Sequence, residues 1–225
     1  MMTATPLIVD FGDLQLAYRD EGPANGPVLV LAHAMSFDQS MWDAVISHLP
    51  STLRIIRYDH RGHGASSSPP APYTMGALVR DVERLLDHLS LRDCVFCGIS
   101  MGGMVAQGLA VKRLDLVRGL VLANTAVKIG TKESWANLVK TAQSQGLEAM
   151  RPGAIEALFS ARFRAAGLAT PWSEALQNAR PEAWFGCVAA LAGTDFYTTT
   201  AGLRLPSLVI ASSDDAITPA DLVRE

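Results

Sequence analysis

The sequence predicts an α/β fold: a mostly parallel central sheet with helices on both faces and a helical cap inserted late in the chain. Three observations carry that expectation. Short continuous apolar runs recur along the chain, amphipathic helical patterns sit between them, and a strand-free stretch runs from about 128 to 200. Continuous apolar runs suit parallel strands covered on both faces, and strand–helix alternation winds a sheet on both sides. With 225 residues, 49% of them hydrophobic, the chain has the size of one domain carrying an insertion. The expected domain is 1–225, with the cap at 128–200 inside it.

Two alternating runs, Leu7 to Phe11 and Leu14 to Tyr18, flank Gly12-Asp13 and read as a β-hairpin. Val28 to Ala32 is the first continuous apolar strand. Arg54 to Tyr58, Cys94 to Ile99, Gly119 to Ala123 and Ser207 to Ala211 follow it. Between them, Met75, Leu78, Val79, Val82, Leu85, Leu86 and Leu89 recur at helical spacing behind Thr74, a suitable N-cap. The segment from Met101 to Val111 is apolar all round and rich in Ala and Gly, as a buried central helix would be. Pro152, Gly167, Pro171 and Pro181 punctuate the helical stretches after Lys128. An all-helical insertion between two strands is expected to cover the sheet's C-terminal edge.

Acids (22) and bases (19) nearly balance and form no long runs, which argues against a nucleic-acid footprint or a polybasic membrane patch. No stretch approaches the length of a membrane span, and the start lacks the pattern of a signal peptide, so the cytoplasm is the expected location. Three cysteines make no disulfide framework. Cys94-Val-Phe-Cys97 has the spacing of a redox or zinc half-site, but inside an apolar run it reads better as two residues on opposite strand faces.

Gly98-Ile99-Ser100-Met101-Gly102 lies directly after a predicted strand and before a predicted helix. In that context the pentapeptide forms a nucleophile elbow, in which glycines two before and two after the serine remove collisions at a very sharp turn. Ser100 is thereby the candidate nucleophile, raised above the sheet at a helix N-terminus. The fold expected is the α/β-hydrolase fold. His33-Ala34-Met35-Ser36 follows the first parallel strand, and backbone N–H groups of Met35 and Met101 are the candidate oxyanion donors. Asp59 to Ser66, with its glycines, reads as a structural loop beside the sheet. After the last strand, Asp214 and Asp215 compete for the orienting carboxylate. Spacing to Thr218-Pro219 favours Asp215.

Triads in this fold run Ser, then Asp or Glu, then His. Here His33, His48, His60, His63 and His88 all precede Ser100, and none follows Asp215. His33 and His63 lie near enough to the site to be weighed as substitutes, whereas His48 and His88 fall on polar helix faces or ends. Removing the base from such a triad costs roughly 10⁴ to 10⁶ in rate. The expectation is therefore a truncated form of a longer enzyme, or a chain completed by a second polypeptide, with Leu208-Val209-Ile210 left as an apolar sheet edge.

The whole chain resembles bacterial 3-oxoadipate enol-lactonases. The stretches that carry the resemblance are Met41-Trp42-Asp43, Arg57 to Ser66, Phe96 to Val105, and Leu122-Ala123-Asn124-Thr125-Ala126-Val127-Lys128-Ile129-Gly130-Thr131. The resemblance implies hydrolysis of an enol-lactone to 3-oxoadipate without a cofactor, in the β-ketoadipate route of aromatic degradation. It places the nucleophile on Ser100, the acid on Asp215 and the oxyanion donors on Met35 and Met101. Trp135 and Trp184 are candidates to line the cap side of the pocket, and Arg162 or Arg164 to hold the substrate carboxylate. A generic esterase or perhydrolase, and a non-catalytic binder, are the rival expectations. The expected partner is a small carboxylated lactone or ester, with no nucleic acid and no membrane. A homo-oligomer remains open.

Overall fold

The computed structural model describes residues 5–224, so the ends of the expected domain, 1 and 225, lie outside the described residues. The hairpin forms: β1 (Leu7–Asp10) and β2 (Gln15–Glu21) pair antiparallel across a turn in which Gly12 has a φ of 84°, a conformation glycine reaches without strain. β3 (Val28–Ala32), β4 (Arg54–Tyr58), β5 (Cys94–Ile99), β6 (Val117–Ala123) and β7 (Ser207–Ile210) complete a seven-stranded sheet of order β1-β2-β4-β3-β5-β6-β7. All pairings from β4 to β7 are parallel. β6 begins two residues earlier than its apolar run. A register irregularity at Cys94/Val95 lets Cys94 pair with Val117, extending the ladder past the exposed Arg118.

A 3₁₀ turn (Gln39–Trp42) and α1 (Asp43–Ile46) follow β3. α2 (Met75–His88) starts where Thr74 accepts from the Ala77 N–H, and it buries Leu78, Val82, Leu85 and Leu86. α3 (Met101–Lys112) is buried nearly all round, as its composition predicts. The main core lies between the sheet and these two helices, and a smaller cluster of Leu31, Trp42 and Ile55 sits on the opposite face. Five helices and no strand separate β6 from β7: α4 (Lys132–Leu158), α5 (Ala161–Ala165), α6 (Thr170–Gln177), α7 (Pro181–Ala192) and α8 (Tyr197–Thr200). α4 is two helices joined at Gly146, whose φ is 80°. A short α9 (Ala220–Val223) follows β7.

Among the described residues β7 pairs with β6 alone, and Leu208, Val209 and Ile210 are 58%, 49% and 47% exposed. Cys94 is buried and Cys97 half-buried, both free, and no metal-binding cluster occurs among the described residues. No helix among them is long and apolar enough to cross a membrane.

The Asp59–Ser66 loop is fixed by a buried ion pair. Arg61 Nε and Nη2 donate to the two oxygens of Asp81 at 2.6 Å each, and Arg61 also lies over the Tyr73 ring. Burial pushes the Asp81 carboxyl up even though the Arg61 guanidinium pulls it down, as expected where desolvation outweighs the pairing. Removing one partner strands the other charge. Asp81→Ala is therefore expected to destabilise the fold by about 3–5 kcal/mol, measured as a lower urea midpoint at unchanged m-value. An unchanged midpoint would contradict the role given to this pair.

Candidate active site

β5 ends at Ile99 and α3 begins at Met101, which leaves Ser100 at the corner with φ 53° and ψ −120°. Such a backbone costs a non-glycine residue about 1–3 kcal/mol and persists only where its surroundings over-determine it. Here they do. The Ser100 N–H donates to the carbonyls of Ala123 and Asn124 at 3.1 Å each, and the Ser100 carbonyl accepts from Thr125 Oγ1 at 2.7 Å and from Gly103 N–H at 3.0 Å. The turn also demands absent side chains. A Cβ on Gly98 would strike the Gly102 carbonyl, and one on Gly102 would strike that of Ala32.

Sheet order explains what surrounds the corner. β5 lies between β3 and β6, and β7 lies beside β6. The loops leaving these strands therefore meet at one end of the sheet, where open α/β sheets place their ligands. The loop after β3 carries Met35, half-buried, and Ser36, whose φ is 71°. Met101, the other candidate donor, is fully buried at the first helical position of α3, where a backbone N–H has no partner within its helix.

Two buried histidines brace the loop after β3. His33 Nδ1 donates to the Ala34 carbonyl at 2.7 Å, and its Nε2 accepts from the His60 N–H at 2.9 Å. His63 Nδ1 donates to the Arg61 carbonyl at 3.0 Å, and its Nε2 accepts from the Ser36 N–H at 3.0 Å. Both rings are thus spent in holding backbone. Weighed as substitutes for the general base, neither has a nitrogen left to take a proton from Ser100. His48 and His88 are exposed, as expected.

The acid turn follows β7. Asp215 Oδ1 accepts from the N–H groups of Ile217 and Thr218 at 2.8 and 2.9 Å. Its Oδ2 accepts from Thr218 Oγ1 at 3.0 Å and from the Asn124 side-chain amide. Asp214 is exposed, with a single 3.4 Å contact from Ser213 Oγ. Asn124 therefore touches both halves of the site: its carbonyl takes the Ser100 N–H and its amide holds Asp215. Sequence reasoning missed Asn124, although its position at the end of the strand beside the elbow was a usable signal.

Ser100 opens on a cavity of about 500 Å³ between the sheet's end and the helices of the insertion. Met35, Trp135 and Trp184 line it with Ser100, so the structure brings these candidates together. Trp135 Nε1 donates to the Ile129 carbonyl at 2.7 Å, which fixes its indole, and Trp184 packs edge-on against Phe185. Arg162 and Arg164 are not brought in. Arg162 is exposed on α5, and Arg164 turns away to donate to the Phe159 carbonyl and to lie 3.9 Å from Glu156. Composition could not fix how a five-residue helix faces the sheet. The charged residue that does line the cavity, Arg151, sits on α4 and was not singled out.

The histidine brace makes stability pH-dependent. Burial pushes His33 and His63 down to about 4, and His60 is lowered as well, chiefly by burial. The unfolded chain takes up protons on these rings below about pH 6.5, whereas the folded chain refuses them on His33 and His63 until about pH 4. Their contribution is therefore complete above about pH 6.5 and is lost as pH falls. The decline is about 1.4 kcal/mol per pH unit per ring and levels off near pH 4. Chemical denaturation from about pH 7 down to about pH 4.5 checks this, and His63→Gln should flatten the slope. A wild-type stability that does not fall over this range would contradict the assignment.

A family model described as alpha/beta hydrolase fold matches residues 27–164. 3-Oxoadipate enol-lactonase 2 of Acinetobacter baylyi is 35% identical over 208 residues, covering 92% of this chain and 78% of that protein. The crystal structure of the enol-lactonase from Burkholderia xenovorans LB400 superposes with a TM-score of 0.91 at 30% identity, covering 97% of this chain and 85% of that one. A thermophilic esterase from Thermogutta terrifontis superposes at 0.88 with 27% identity, covering 98% and 85%. The strained serine corner, the parallel sheet and these similarities agree: the chain belongs to the α/β-hydrolase family, with the 3-oxoadipate enol-lactonases among its relatives.

Proposed function

We propose that this chain hydrolyses a small carboxylated lactone or ester, with 3-oxoadipate enol-lactone as the specific substrate suggested by its relatives' names. The observation that supports this most is Ser100 itself, held at a strained strand-to-helix corner and facing a largely apolar cavity. In this reading Ser100 Oγ attacks the ring carbonyl as its proton passes to a general base, and the acyl C–O bond of the ring then breaks with that proton going to the departing enol oxygen. The N–H groups of Met35 and Met101 receive the developing oxyanion, a preorganised pair that lowers the barrier by several kcal/mol. Water then releases the acyl group from the serine, and no cofactor takes part. Asp215 orients the base. The helices of residues 128–200 act as the cap over the cleft in which the acyl group sits.

None of the five histidines supplies that base in this reading: His33 and His63 are spent on the loop after β3, His60 is buried with its Nε2 on the His33 carbonyl, and His48 and His88 are exposed. A catalytically impaired hydrolase that keeps its pocket is the second reading, and the same observation favours it. A generic esterase is the third, favoured by a cavity well above the size of a six-carbon lactone and by the likeness to an esterase.

A fluorophosphonate probe and the hydrolysis of phenyl acetate and of the enol-lactone test these readings together. Ser100 is expected to take the label and Ser100→Ala to take none. Turnover without a triad base should stand roughly 10⁴ to 10⁶ below that of a complete triad, and added imidazole should raise the Ser100-dependent part. Unlabelled wild-type protein, with turnover equal to Ser100→Ala in imidazole, overturns the hydrolase reading.

A further inference from the structure

The cavity beside Ser100 is walled by Leu147, Met150, Leu158, Leu176 and other apolar side chains, and among the described residues one charged group lines it, Arg151. Arg151 lies on α4 past the Gly146 kink and beside Pro152, so the change of direction at Gly146 helps decide where this turn of helix faces. Its Nη1 donates to Gln177 Oε1 at 2.8 Å. The one carboxylate near it, Glu148, stands 3.7 Å from Nη2 on a side chain 76% exposed. A neutral amide does not cancel the charge, and a solvated carboxylate at that distance does little to neutralise it. A guanidinium has five N–H donors in a planar fork that matches a carboxylate, and most of these remain unengaged by the partners described. Against apolar walls such a cation favours a ligand that brings its own negative charge.

We infer that Arg151 is the specificity-determining residue of this cavity and anchors the carboxylate of an acyl substrate whose apolar body runs toward Ser100. The inference rests on the proposed use of the cavity as the acyl site, and it names what that site selects: a monoanionic acyl group with an apolar body, ahead of a neutral one. Arg164 and Arg162, which face away from the cavity, take no part in this selection.

Binding tests the anchor separately from chemistry. Hexanoate and its neutral isostere hexanamide are titrated into the 225-residue chain, with the fluorescence of Trp135 and Trp184 in the cavity wall as the signal. Wild type is expected to favour hexanoate roughly 10- to 100-fold, the range for hydrogen bonds to a charged group. Arg151→Gln should bring the ratio near one and Arg151→Lys should restore part of it, since a point charge survives without the fork. Arg164→Gln should keep the wild-type ratio. No preference in wild type overturns the proposal, and so does a preference that survives in Arg151→Gln. If hexanoate is selected through Arg151 while Ser100 neither labels nor turns over, the anchor stands and the hydrolase reading falls.

Discussion

The hydrogen bonds that clamp the backbone of Ser100 determine how much else in this molecule must be arranged. A residue with φ 53° and ψ −120° is not held by its own preference. It is held because its N–H reaches the end of β6 while its carbonyl is taken by Thr125 and the first turn of α3. For that to happen β6 must lie beside β5, and α3 must leave the sheet at a distance that tolerates no Cβ at Gly98 or Gly102. The parallel topology, the glycine spacing and the all-apolar α3 are conditions of one strained corner.

The loop after β3 is held by a different device. Backbone in an irregular loop must find hydrogen-bond partners, and burial makes each unmet group expensive. Here the partners are imidazole nitrogens. Histidine suits the task because one neutral ring donates at one edge and accepts at the other. That is how His33 and His63 join the Ala34–Ser36 segment to the Asp59–Ser66 loop. The price of the device is that both rings must stay neutral, so the residues that shape the Ala34–Ser36 segment have no nitrogen free to take a proton from Ser100.

This division also explains what could be read from the amino-acid order. The parallel strands and the elbow were legible because their signals are local: a continuous apolar run, a turn-forming pentapeptide, a helix that follows at once. His33 and His63 were legible only as nearby histidines. Their ring partners depend on how two loops 27 residues apart meet. The insertion was legible as helical but not in its facing. The amino-acid order singles out Arg162 and Arg164 and passes over Arg151, and what sets Arg151 apart is the path α4 takes through Gly146 and Pro152. A pivot at a positive-φ glycine re-aims every side chain beyond it, and helical periodicity carries no record of that angle.

Asp215 shows how sheet adjacency can replace burial. β7 is an edge strand whose four residues are all exposed, so little apolar packing holds the turn that follows it. The carboxylate is nevertheless fixed through both oxygens, by two backbone N–H groups, the Thr218 hydroxyl and the Asn124 amide. Three of those donors lie within three residues and define only the shape of the turn. Asn124 comes from 91 residues away, just past the end of β6, the strand between those that lead to Ser100 and Asp215. Its own N–H binds the Ile210 carbonyl, its carbonyl binds Ser100, and its side chain binds Asp215. A shift of β7 along β6 would therefore pull on the serine corner through one residue. The placement of the acid and the strain at the nucleophile are parts of a single mechanical unit.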